Sequence, residues 1–182
     1  MTMAQPASFA DRMIRAARLD ANLYEEVEAD AGATRQAMLV VVLSSVAMGI
    51  SLYGDVGLPG LVGGAVIALA GWFLWALLTY WIGTSLLPEP QTRADLGQLL
   101  RTTGFTSSPG LLRVFGLIPG LWRIVVMVTA VWMLVAMVIA VRQALDYHGT
   151  LRAFGVCAIG WTIKWVSLFF LYGMTRGLLP EP

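Results

Sequence analysis

The chain has 182 residues, 58% of them hydrophobic and only 13% charged, with 12 basic residues against 11 acidic ones. Soluble domains run nearer about 45–50% apolar and about 25% charged, so this composition does not supply a surface made for water. The near-balance of charge removes an electrostatic footing for nucleic acid, and a single cysteine, Cys157, excludes an internal disulfide.

In chain order, Pro6 and Ser8 open a helix, with Asp11 three residues after Ser8 in an approximate capping box. Phe9, Met13, Ala16, Leu23 and Val27 recur at helical spacing, which predicts one amphipathic helix within residues 1–35, lying at the cytoplasmic interface. Arg12, Arg15 and Arg18 are placed to meet anionic headgroups. With Tyr24, Glu25, Glu26 and Glu28 they form a candidate surface for a partner protein or for lipid; a merely solvated charged face is the alternative. The first thirty residues hold no apolar core of about 7–15 residues, so no cleavable signal peptide is expected.

Residues 36–182 read as a transmembrane bundle. The first span covers about 36–52 and contains Ser44, Ser45 and Ser51. A turn without Lys or Arg leads into a second span at about 60–87, closed by Pro88 and Pro90. The third segment, 95–118, carries Arg101 and Arg113 and is interrupted at Thr106-Ser107-Ser108-Pro109-Gly110. Non-helical backbone survives at membrane depth only where protein or a cavity shelters it, so this piece is either a broken crossing helix or a hairpin in the interface. Spans at about 122–141 and 151–176 close the chain. The fold expected is therefore all-α: four long transmembrane helices plus a short broken third segment, preceded by the N-terminal helix. Small residues at Gly60, Gly64 and Ala68 share one face and predict close helix packing, within the chain or in a homodimer.

Four arginines precede the first span and none follows it in the turn, which places the N-terminus in the cytoplasm. The side of the C-terminus depends on whether the broken segment crosses. The echo of Leu86-Leu87-Pro88-Glu89-Pro90 in Leu178-Leu179-Pro180-Glu181-Pro182 favours two helices ending on the same side.

No catalytic constellation is visible. His148 is the only histidine, so metal pairs, bis-His haem ligation and Ser-His triads are out of reach. No phosphate-cradling glycine loop precedes a helix. No cofactor and no metal are expected. The residue that stands out is Lys164, the only lysine, in the middle of the last apolar run. An ammonium at that depth costs about 2.5–3.5 kcal/mol on insertion scales unless something offsets it. Ala153, Cys157, Gly160, Lys164 and Ser167 fall on one small and polar face that should turn into the bundle. There Lys164 is expected to meet carbonyls freed at the Ser107-Ser108-Pro109 break, with Thr79 or Thr129 nearby. Such a contact pins the broken segment; an ion or substrate site, or pairing with a partner subunit, are the other roles open to it.

Leu19-Asp20 with Tyr24-Glu25-Glu26-Val27-Glu28, the stretch Leu100-Arg101-Thr102-Thr103-Gly104-Phe105 leading to Pro109-Gly110, Leu117-Ile118-Pro119-Gly120 and Val141-Arg142-Gln143-Ala144-Leu145-Asp146 together resemble bacterial members of the Yip family of polytopic membrane proteins, over roughly residues 9–175. The resemblance implies a cytoplasmic N-terminus and five membrane segments, the third being the broken one. Eukaryotic members are adaptors for small GTPases in vesicle traffic, a role with no counterpart in a bacterial cell. What the resemblance implies here is a non-enzymatic scaffold or accessory subunit of a larger inner-membrane assembly, in contact with membrane lipids and a membrane-protein partner. A small transporter or channel built on Lys164 and the broken segment, or a lipid-handling protein, are the alternatives.

Overall fold

The computed structural model describes residues 7–178, and their side chains except at 53–56, 168 and 171–178. Among these residues the chain forms seven α-helices and no strand: α1 (Phe9–Ala17), α2 (Ala21–Ala29), α3 (Ala33–Ser51), α4 (Tyr53–Trp81), α5 (Leu96–Phe105), α6 (Trp122–Ala144) and α7 (Thr150–Leu178). A π-helical turn, Ile82–Leu86, extends α4, and a 3-10 stretch, Ser108–Leu117, follows α5.

The N-terminal region is two helices rather than the single one expected. Ser8 does cap α1, its Oγ accepting from the Asp11 amide at 3.2 Å. The helix then ends in a Schellman motif: Leu19 takes a left-handed φ of 63°, its amide donates to Ala16 O, and the Asp20 amide donates to Arg15 O. Asp20 at once caps α2 by accepting from the Asn22 amide at 3.0 Å. A leucine in the left-handed region gives no sequence signal for this stop, since glycine is the residue that normally marks it. The same device ends α6, with Asp146 at φ 52° and the Tyr147 amide reaching Arg142 O.

Among the described residues three helices are long and apolar enough to cross a membrane: α3, the stretch Gly57–Leu86 of α4 and its π turn, and α6. Helix α7 has the length, 29 residues, but its side chains are described only in part, so it is not counted with these three. The turn expected at 53–59 reduces to one break inside α4, at Gly57, whose φ of 57° is a conformation glycine adopts freely. At the other end of α4 the chain leaves carbonyls open, and the single O–H of Tyr147 is shared between Leu87 O at 2.7 Å and Gly83 O at 3.1 Å. The echo at Leu178–Pro182 lies largely outside the described residues.

Two apolar cores meet at α5. One joins α1 and α2 to α3, α5 and α6 through Leu23, Tyr24, Val27, Val40 and Phe105, all fully buried. The other joins the end of α4 to α5, α6 and α7 through Ile82, Leu99, Val141, Leu145 and Val156. The N-terminal helices are thus part of the folded bundle and do not lie free at an interface. Two long bonds fix them there: Trp132 Nε1 donates to Ala17 O at 2.7 Å, and Arg101 donates to Val27 O and Glu28 O, covering the open carbonyls at the end of α2.

The interruption after α5 falls where the sequence places it, and it is buried. Ser108, Pro109 and Gly110 are all enclosed, with α3 on one side and α6 on the other. The turn satisfies its own backbone: Ser108 Oγ donates to Phe105 O at 2.8 Å and the Gly110 amide to Ser107 O at 2.9 Å. The segment can lie this close because its contact residues are small. A Cβ on Gly104 would stand 2.6 Å from that of Ala37, and one on Gly110 would run into Ser44 Oγ. Replacing Gly110 by Ala is therefore expected to cost about 1–3 kcal/mol through overpacking, seen as a lower thermal midpoint in detergent. Gly63→Ala, where a Cβ would meet nothing within 4 Å, should leave the midpoint unchanged or raise it.

Candidate functional site

Two places concentrate polar groups. The first is the N-terminal pair of helices. Arg12 is 6% exposed and binds Glu26 and Asp30 at 2.9 Å each, with Gln36 accepting from it at 3.0 Å. Arg15 pairs with Asp20 at 2.8 Å and with Glu26. These two arginines, expected at lipid headgroups, instead tie α1 to α2 and to the start of α3. Tyr24, expected on the same surface, is fully buried, and its hydroxyl finds no hydrogen-bond partner among the described residues. Glu26 is consumed inside the network. Only Arg18 and Glu25 are exposed as the surface reading requires, with Glu28 half-buried. Amphipathic spacing cannot tell a face that meets lipid from one that meets the rest of the bundle, and the second case holds here.

The network sets the charge states. A hydrogen bond from Arg15 holds the Asp20 carboxyl below the ordinary range, and one from Arg12 does the same for Asp30. Burial alone would raise Glu26, but bonds from Arg15 and Arg12 outweigh it and lower the group. Glu28 goes the other way, pushed up to about 7 by burial and then by Asp146, with Arg101 opposing. It lines a groove of about 480 Å³ together with Glu25, Gln98, Arg142 and Asp146.

The second place is an interior cavity of about 770 Å³ bounded by α3, α4, α6, α7 and the break. Its walls are largely apolar, with Trp72 and Trp75 from α4 and Met133 and Met137 from α6. Trp75 reaches in because Gly160 on α7 leaves room for its ring; a Cβ there would lie 3.2 Å from it. The polar groups facing the cavity include Ser44, Ser45 and Ser107, and two cations, Arg113 and Lys164. Among the described residues no carboxylate lines it.

Of the residues singled out on the sequence, Lys164, Ser167 and Ser107 do share this cavity, whereas Ser108 and Pro109 are buried behind it. Gly160 is buried where α7 meets α4. Lys164 itself is exposed along α7 and has no hydrogen bond to the break among the described residues, whose ion pairs all lie elsewhere, at Arg12, Arg15 and Glu89. Thr129, suggested as a Lys164 partner, is occupied differently. It accepts from Arg113 Nε at 3.3 Å while donating to Val125 O at 2.8 Å, and Arg113 Nη2 lies 3.3 Å from Met133 Sδ. The pin between the broken segment and the bundle is thus Arg113, expected from the sequence only as one of the charges carried by that segment. Its signal was present: it is the only charged residue between Thr102 and Trp122.

Apolar helices that traverse a bilayer more than once, gathered around a cation-bearing cavity, define a multi-pass helical membrane protein. The chain belongs to the Yip1 domain family, whose model matches residues 2–172. No curated protein and no solved structure matches it.

Two consequences can be measured. Tyr24→Phe removes a buried hydroxyl that has no partner, so stability should stay level or rise. For Glu28 the folded value of about 7 lies above the ordinary 4.5, so its stabilising contribution is complete below pH 4.5 and is lost as the pH rises through 7. Glu28→Gln should accordingly raise the thermal midpoint by a few degrees at pH 8 and leave it unchanged near pH 4.5. Asp20, Glu26 and Asp30 act in the opposite sense, their contribution being present at neutral pH and lost as the pH falls through their lowered values.

Proposed function

We propose that the protein is a non-enzymatic membrane scaffold or accessory subunit that docks on a larger inner-membrane assembly from the cytoplasmic side. The observation that carries this reading is the groove between α2, α5 and the end of α6. Glu25, Glu28 and Asp146 gather there on a base that the Arg12 and Arg15 pairs hold rigid. A surface fixed in advance binds without the cost of ordering a loose tail. Its acidic character suits a basic or amide-rich segment of a partner, and Gln143 already models such a contact by donating to Glu25 at 2.7 Å. Membership of the Yip1 domain family agrees with a membrane role of this kind.

The test is a photo-crosslinking residue placed at Asn22, which is exposed, activated in native membranes. The expected result is one discrete adduct with another membrane protein, lost when Glu25 and Asp146 are replaced by Lys. Adducts with lipid alone would remove the scaffold reading, and a homodimer adduct would replace it with self-association.

The interior cavity supports a second reading, a small transporter or channel for an anion. Anion flux in proteoliposomes that disappears in a folded Lys164→Met variant would bring that reading to the front.

A further inference from the structure

The cavity poses an electrostatic problem that the chain leaves open. Arg113 offers five N–H donors in a rigid fork, and the bonds found for it go to a neutral hydroxyl and a thioether. Removing a guanidinium from water without a compensating negative charge is costly. Lys164 adds a second cation to the same cavity, and among the described residues no Asp or Glu lines it. Ser44 and Ser107 stand by as neutral donors on the α3 side and at the break. What these described residues call for is a negative charge, which a ligand can bring.

Size and shape narrow what carries that charge. A volume of about 770 Å³ lies in the range that encloses most of a drug-sized ligand, far more than a bare inorganic anion fills. The walls away from the cations are tryptophan, leucine and methionine. Several lining residues are exposed: Leu74 at 55% on α4, and Trp161 at 46% and Lys164 on α7. These exposed residues give the cavity a sideways opening at α4 and α7, onto the apolar perimeter. A ligand arriving there comes from the lipid phase with its charged end leading inward.

We propose that this cavity binds the phosphate headgroup of an anionic membrane lipid, which enters laterally between α4 and α7. Arg113 and Lys164 pair with the phosphate, with Ser44 and Ser107 donating to it, while the apolar portion lies along Leu74 and Trp161. Arg113, fixed on Thr129, presents its remaining N–H groups in a set direction, and Lys164 at the mouth closes on the charge from the other side. The inference rests on the cavity alone and is independent of the partner groove, so either can fail without the other.

The experiment uses the full chain, delipidated in mild detergent and titrated with phosphatidylglycerol, with phosphatidylcholine and with inorganic phosphate. Bound lipid is counted by native mass spectrometry, and brominated phosphatidylglycerol reports proximity through quenching of tryptophan fluorescence. The expected result is one retained phosphatidylglycerol per chain, with phosphatidylcholine at least about tenfold weaker and no displacement by millimolar phosphate. Lys164→Met should weaken phosphatidylglycerol about ten- to hundred-fold, as expected for losing one charge-assisted pair, and Lys164→Arg should restore it. Because Lys164 is exposed and makes no hydrogen bond among the described residues, its Met variant should fold, which the thermal midpoint verifies; Arg113→Gln is the second variant. Arg142→Gln, at the distant acidic groove, should leave lipid binding as it was. Equal binding of the two lipids, or undiminished binding by a folded Lys164→Met, overturns the proposal. Displacement by inorganic phosphate makes the site one for a free oxyanion and also overturns the lipid assignment.

Discussion

Small residues let the interrupted segment press against α3, with Gly104 on Ala37 and Gly110 on Ser44 so close that neither glycine tolerates a Cβ without something moving. Backbone that is not α-helical needs shelter in an apolar surround, and this contact supplies it. From the seating follow the rest of the interior features. Phe105 is delivered to the core shared with the N-terminal helices. Arg113 is carried across to Thr129 on α6. The space left between α3, α4, α6 and α7 becomes the cavity.

Charge is handled in two opposite ways in the same molecule. Around α1 and α2, each buried cation has its carboxylates: Arg12 has Glu26 and Asp30, and Arg15 has Asp20 and Glu26. The carboxylates of these pairs are partly exposed, which limits what each pair contributes alone; their effect is to fix one arrangement of the two helices on the bundle. In the cavity, among the described residues, the two cations have none. The proposed lipid site lies where that pairing is missing. Glu28, raised to about 7 at the edge of the acidic groove, shows the converse at the other end, an excess of negative charge with Arg101 as its partial answer.

Much of the fold was legible because a membrane helix is a local object: length and apolarity marked α3 and α6 to within a few residues and the existence of α4, though not its start at Tyr53, and Ser8 marked the start of α1. The break at Ser107–Gly110 was legible for the same reason, as a run that cannot continue a helix. What was lost needed contacts far apart in sequence. Leu19 gives no hint of a left-handed stop. Nothing local says that Arg12 and Tyr24 face inward, because their partners come from α2, α3, α5 and α6. For the site, Lys164 announced itself by its cost in an apolar run, and it does line the cavity. Its expected bond to the break is replaced by that of Arg113, since the turn satisfies its own carbonyls through Ser108 and Gly110.

The seating of residues 102–110 between α3 and α6 is what the rest of the interior depends on. Hydrogen exchange of the chain in lipid nanodiscs, followed by mass spectrometry, tests it directly. Amides across 102–110 should exchange on the slow scale of α3, and much more slowly than the Pro88–Ala94 loop. Exchange of 102–110 at the rate of that loop would contradict the buried seating, and with it the cavity that the seating creates.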